Sequence, residues 1–185
     1  QKLYTAAKAM FIEKGFKETS VSALTQAADM AVGTFYLNYS SKEQLFLEIF
    51  KEENTLLKQR CLAALDLDQT PKQIILQMLR MNQEGIQENP ILREWYRSEE
   101  FRKIEQTFRE ENTLGSLDFL YDAFLVLVRR WQDEGKMRAD IDSRMIMMIF
   151  AAIINVDTHK AEIGLEYFPE LLDQMTELVL IGLTK

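Results

Sequence analysis

The sequence predicts an all-α protein, with an N-terminal three-helix head containing a helix-turn-helix and a C-terminal helical bundle body. Three observations carry that expectation. Apolar residues recur at helical spacing along almost the whole chain. Residues 19–45 outline two short helices, a tight turn between them and the start of a longer helix. Two segments near the C-terminus are apolar on more than one face, as helices buried from several sides must be.

Leu3, Ala7, Met10 and Phe11 form the first apolar stripe, and Gly15 supplies a left-handed stop. Val21, Leu24 and Ala28 then mark one side of a short helix. Asp29, Met30 and Ala31 break the pattern before Gly33 to Tyr39 resumes it, with Phe35 and Tyr39 four apart. A helix this short suits a DNA major groove. Ser41 or Ser40 can cap the next helix, whose Leu45, Phe46, Ile49, Phe50, Leu56 and Leu57 continue to about Leu65. That helix is expected to belong half to the head and half to the body, with domains over residues 1–46 and 47–185.

In the body, Thr70-Pro71 is a cap followed by proline at the first helical position. Ile74, Ile75, Met78, Leu79 and Met81 follow, and Asn89-Pro90 ends the helix. Residues 91 to 112 read as one bent or broken helix. Gly115-Ser116 opens another, running past Trp131 to a stop at Gly135. Asp142 or Ser143 begins the next, in which Met145 to Ile154 is apolar all round, and Pro169 starts the last. One side of each terminal helix can pack on its own body; the other most economically meets a second chain. Two helices from each of two subunits would give a four-helix, two-fold interface. Its candidate residues are Ile149, Ile153, Val156, Leu171, Met175, Leu178 and Val179.

Composition narrows the function. With 47% apolar residues and only ten Pro and Gly in 185, the chain is globular, without a linker. Its longest apolar run is half a membrane span, so no membrane partner is expected. The lone Cys61 allows no internal disulfide and fits a reducing, cytoplasmic setting. The net charge is −7, unevenly spread: residues 1–45 carry +1 and the rest −8. That balance disfavours a general nucleic-acid coat and favours contact at the head alone. With one His and one Cys, no His-based metal cluster forms, and neither a glycine-rich phosphate loop nor a nucleophile elbow is present. No enzyme activity and no cofactor are expected.

Thr-Ser-Val at 19–21, Ala-Leu at 23–24, Gly-Thr-Phe-Tyr at 33–36 and Tyr-Ser-Ser-Lys-Glu at 39–43 resemble the DNA-binding segment of the TetR (tetracycline-repressor) family. The similarity extends back to Leu3 through LYTAAKAMFIEKGFKETS, so that the chain starts inside what resembles the first helix. The resemblance implies a homodimer that binds a roughly palindromic double-stranded DNA operator and releases it on binding a small-molecule inducer. It places DNA contacts on Thr19, Ser20, Ser22, Val32, Gly33, Thr34, Tyr36, Leu37, Asn38 and Lys42. Hydroxyls and a helix N-terminus suit phosphate; Asn38 suits adenine, and Val32 or Leu37 a thymine methyl. Several residues depart from the family pattern. Asp29 replaces the usual turn glycine, Ala31 removes a Ser cap, and Val32 stands where a polar or basic residue is common. No Arg or Lys lies between Lys17 and Lys42, which leans recognition towards A·T pairs or DNA shape.

For the inducer, the body offers Met78, Met81, Trp95, Tyr96, Phe101, Phe108, Phe124, Trp131, Met148 and Phe150. Such residues suit an apolar or planar ligand, and each also suits plain core. Asn155, Asp157 and His159 interrupt an apolar helix and can line a pocket, pair across a dimer or mark where the helix meets water. The alternative to a repressor is a helical ligand- or protein-binding module whose head has lost DNA affinity.

Overall fold

A computed structural model of the chain describes residues 1–97, 101, 118–156, 163–168 and 170–184. Among these residues the fold is all-α: α1 (Lys2–Lys14), α2 (Val21–Ala27), α3 (Val32–Tyr36), α4 (Lys42–Ala63), α5 (Pro71–Glu88), α6 (Pro90–Arg97), α7 (Asp118–Asp133), α8 (Ser143–Val156) and α9 (Glu170–Leu183). A short 3-10 turn covers Leu165–Tyr167. Phe108, Asp157, His159, the Gly115-Ser116 start and Pro169 lie outside the described residues, as does the side chain of Asn155.

The expected punctuation is present in detail. Gly15 ends α1 at φ 81, its N–H donating to Phe11 O. Ser41, rather than Ser40, accepts from the Gln44 N–H at the start of α4, while the Gln44 side chain accepts back from the Ser40 N–H at 2.7 Å. At the start of α5 the exchange is between two residues alone: Thr70 Oγ1 accepts from the Gln73 N–H and Gln73 Oε1 accepts from the Thr70 N–H. Asn89 Oδ1 accepts from the N–H groups of Ile91 and Leu92, with Pro90 first in α6. Asp142 Oδ1 accepts from the Arg144 N–H, which makes Asp142 the cap of α8, and Gly135 closes α7 at φ 69.

The chain forms two compact units, Gln1–Cys61 with Arg80–Ser116, and Leu62–Leu79 with Leu117–Lys185. Compactness therefore divides the chain elsewhere than at 46/47. The reason lies in the aromatic core of the first unit. Phe46, fully buried, packs edge-on to Phe11 at 5.1 Å and Phe16 at 5.2 Å, and stacks on Phe101 at 4.6 Å. Phe101 also meets Phe16 at 4.7 Å and Trp95 at 5.0 Å, and Trp95 stacks on Phe50 at 4.2 Å. Glu94 Oε2 accepts from the Phe16 N–H at 3.3 Å, just after the positive-φ Gly15. Rings from α1, the loop after it, α4 and α6 thus share one core. Around it, Lys8 pairs with Glu53 at 2.5 Å and the Tyr4 hydroxyl donates to Glu52. Burial, then that carboxylate, pushes the Tyr4 pKa upward.

The second unit has a separate core of Ile74, Ile75, Leu127, Val128, Trp131, Met137, Ile146, Leu180 and Leu183. Gln132 Nε2 donates to Arg138 O and Ile141 O, which fixes the loop after α7. The Arg138 N–H donates to Leu183 O at 2.8 Å and so ties that loop to the end of α9. On α8, Ile146 and Ile153 are buried, but Met145 and Met148 are about half exposed. Leu178 and Ile181 of α9 are 68% and 62% exposed. This unit leaves apolar side chains of its last two helices uncovered.

Phe46→Ala removes a ring from the centre of the first core and is expected to cost about 3–5 kcal/mol, read as a lower urea midpoint. Asp29 holds φ 54, so Asp29→Gly is expected to leave the midpoint unchanged or higher. Asp29→Val, β-branched in a left-handed position, is expected to lower stability by about 1–2 kcal/mol.

Candidate nucleic-acid interface

Local chemistry sets α2, the turn and α3 in place. Ser20, at φ −96 and ψ 155, caps α2 by accepting from the Ala23 N–H at 3.2 Å. The buried Thr25 hydroxyl bonds back to Val21 O and Ser22 O, both at 3.0 Å. At the far end, the Met30 N–H reaches Thr25 O at 2.9 Å and the Asp29 N–H reaches Gln26 O at 3.2 Å. With Asp29 left-handed between them, these are the two bonds of a Schellman stop. Aspartate therefore performs the turn for which glycine is usual. Ala31 precedes α3 with no side-chain cap, as expected from the missing serine.

A five-residue helix has too few internal hydrogen bonds to hold itself. Phe35 anchors it: the ring is fully buried and packs at 5.2 Å from Tyr36 and 5.8 Å from Tyr39. The Tyr39 pKa rises to about 12 through burial and a hydrogen bond with Glu48 of α4. With Phe35 inward, Val32, Gly33, Tyr36, Leu37 and Asn38 are left exposed, Tyr36 at 57% and Leu37 at 84%. A Cβ built on Gly33 would meet nothing within 4 Å, so its backbone faces open space. Thr34 is half-buried and its carbonyl accepts from Asn38 Nδ2 at 2.9 Å.

Ser20 and Ser22 are exposed at the start of α2, but Thr19 is not. Its side chain is fully buried and its hydroxyl donates to Gly15 O at 2.7 Å. Lys42 Nζ donates to Phe16 O at 2.8 Å and Thr19 O at 2.9 Å, and lies 4.2 Å from the Phe16 ring centre. Two of its three N–H donors thus hold the loop between α1 and α2 against α4.

The residues expected at the inducer fall in both units. Trp95 and Phe101 belong to the aromatic core of the first, with Tyr96 5.9 Å from Phe50. Trp131 belongs to the core of the second, with Phe124 and Phe150 against it. Met78 is buried, Met81 half-buried, and Met148 about half exposed. A recess of about 290 Å³ in the second unit, lined by Thr70, Pro71, Lys72, Lys136 and Thr184, includes none of them. Of the residues expected between subunits, Leu178 is exposed, while Ile149, Val156, Leu171 and Met175 are half-buried. Ile153 is buried and Val179 packs on the chain's own core. Met145 and Ile181, absent from that expectation, are more exposed than either. The spacing of Leu178 and Ile181 on one helix face is the signal that points to Ile181.

Residues 3–49 match the family described as "Bacterial regulatory proteins, tetR family". A comparison with curated proteins finds no match. Among solved structures, the fold is similar to SmeT, the repressor of the Stenotrophomonas maltophilia multidrug efflux pump SmeDEF, at TM-score 0.63 and 18% identity, over 100% of this chain and 89% of that one. It is also similar to the regulatory protein TetR from Rhodobacter sphaeroides, at TM-score 0.60 and 21% identity, over 100% and 98% of the two chains. The head thus matches the tetR family in sequence over residues 3–49, and the fold of the chain is similar to that of these two regulators.

Proposed function

We propose that the chain is a ligand-responsive, sequence-specific DNA-binding protein acting as a dimeric repressor in the cytoplasm. The observation that carries this reading is α3, a helix anchored by one buried ring with nearly all its remaining surface exposed. A major groove is the surface it fits. Ser20, Ser22 and the N-terminus of α2 hold phosphate. Gly33 brings the α3 backbone close to DNA, Thr34 and Tyr36 donate hydroxyls, and Asn38 reads a base edge. Val32 and Leu37 meet thymine methyls, which makes the site A·T-leaning, since α2 and α3 carry no Arg or Lys. Thr19 contributes through backbone position rather than its buried hydroxyl, and Lys42 offers phosphate its third N–H.

Dimerisation covers the apolar residues left open on the last two helices, Met145, Met148, Leu178 and Ile181. Two heads spaced by about one DNA turn, ~34–36 Å, then read both halves of a palindrome. A small apolar or aromatic inducer that changes the spacing releases the DNA; coupling of about 1–3 kcal/mol suffices. SmeT, a repressor with a similar fold, supports the repressor role. The second reading, a binding module with an inert head, draws on the absence of basic side chains from α2 and α3 and on the uncapped start at Ala31.

Selection from random duplexes at low salt, using the chain with its natural N-terminus, is expected to enrich a roughly palindromic, A·T-rich sequence. No enrichment would favour the inert head. On the selected site, Tyr36→Ala and Leu37→Ala are expected to cost about 1–3 kcal/mol of affinity each with melting unchanged; undiminished affinity would remove them from the interface. Leu178→Asp, at a position exposed within the chain, is expected to halve the mass seen by light scattering.

A further inference from the structure

Inside the first unit, α4 and α5 enclose polar side chains that the repressor reading does not use. Lys58 Nζ donates to Asn82 Oδ1. Its acceptor is neutral, and among the described residues no carboxylate forms an ion pair with it. Burial lowers the Lys58 pKa to about 8, opposed only by the Cys61 thiol. Cys61, one turn further along α4, is itself buried. Asn54 lies one turn before Lys58, and its buried Oδ1 has no hydrogen-bond partner. The two helices are close here because α5 carries Gly85, where a Cβ would collide with the Leu57 side chain.

An ammonium largely withdrawn from water without a counter-charge destabilises a fold, and so does a buried carbonyl oxygen without a donor. Both defects lie on one helix face, at i and i+4, with Cβ atoms about 5–6 Å apart. One small molecule can correct both. We propose that Lys58, Asn82 and Asn54 anchor an organic hydroxy acid with an apolar body: its carboxylate accepts from Lys58 and its hydroxyl donates to Asn54 Oδ1. The proposal rests on the ligand-responsive reading above and specifies the ligand class. Asn82 orients the ammonium, whose two other N–H groups meet the carboxylate. The apolar body lies against neighbouring apolar side chains, so the ligand is amphipathic.

The test is thermal melting of the full chain at pH 7 with 2-, 3- and 4-hydroxybenzoate and 3-hydroxyoctanoate, each beside its neutral primary amide. At least one acid is expected to raise the melting temperature by several degrees at a hundredfold excess over its Kd and to release the selected DNA, its amide doing neither. Lys58→Met is expected to weaken that acid roughly 10- to 150-fold. Without ligand it is expected to melt at or above the wild type, because it removes a partly buried charge whose partner, Asn82, is neutral. Acids and amides acting alike, or Lys58→Met responding as the wild type does, would overturn the acid anchor while leaving ligand response standing. Silence from both classes in melting and DNA release would overturn both.

A ligand-free readout is pH. The folded pKa of Lys58 lies below its ordinary 10.5, so the cost of its charge is complete below about 8. That cost disappears as pH climbs towards 10.5. In a Cys61→Ala background, which removes the neighbouring thiol, the wild-type Lys58 chain is expected to gain stability over Lys58→Met between pH 8 and 10. A flat difference would show a solvated amine and overturn the proposal.

Discussion

The constraint on which the rest depends is the sharing of one aromatic core by the head and the helices behind it. Phe16, from the loop after α1, meets Phe46 of α4 and Phe101 within about one ring diameter, and Glu94 of α6 holds the Phe16 N–H. Each such ring pair contributes about 0.5–1.5 kcal/mol beyond the area it buries. The contacts close a loop through α1, α4 and α6, so a shift of α6 or α4 moves Phe16 with it. Lys42 completes the clasp by bonding the carbonyls of Phe16 and Thr19, just before α2 begins. A displacement of α6 thus has a direct mechanical path to the start of α2.

That rigidity lets α3 be small. Five residues with no N-cap and no charge cannot persist as an isolated helix; Phe35 beneath and the Schellman stop before it supply the order. In return, α3 exposes Val32, Tyr36 and Leu37, side chains that would be liabilities on an ordinary surface. The +1 of the first 45 residues against −8 elsewhere keeps the rest of the chain off phosphate. On the DNA-binding reading proposed above, affinity would come from shape and methyl contacts more than from counterion release.

Much of this was legible in the sequence, because caps, stops and periodicity are local. Gly15, Asp29, Ser41, Thr70, Asn89 and Gly135 all do what their chemistry implies. The head also matched a family pattern, which placed α3. Less legible was anything needing three dimensions. Nothing local marks Thr19 as buried while Ser20 and Ser22 are exposed; its hydroxyl turns to Gly15 O because the loop folds back. Lys42 reads as a surface lysine until the Phe16 carbonyl stands beside it. The compact units are equally hard to read from the sequence, because Phe46 packs on Phe101, 55 positions along the chain. On α8 and α9, composition showed too much apolar surface, but only packing shows that Met145, Met148, Leu178 and Ile181 are the uncovered part. Lys58 carried no sequence signal, since a lysine on an amphipathic helix is ordinarily solvated.

Hydrogen exchange read by mass spectrometry tests the shared core most directly. If α1, the first half of α4 and α6 are one cooperative structure, their slowest amides exchange with the same opening free energy, and Phe101→Ala lowers all three together. Exchange of α1 at a markedly lower free energy than α6, with Phe101→Ala affecting α6 alone, would show the head to be an independent module and contradict the coupling.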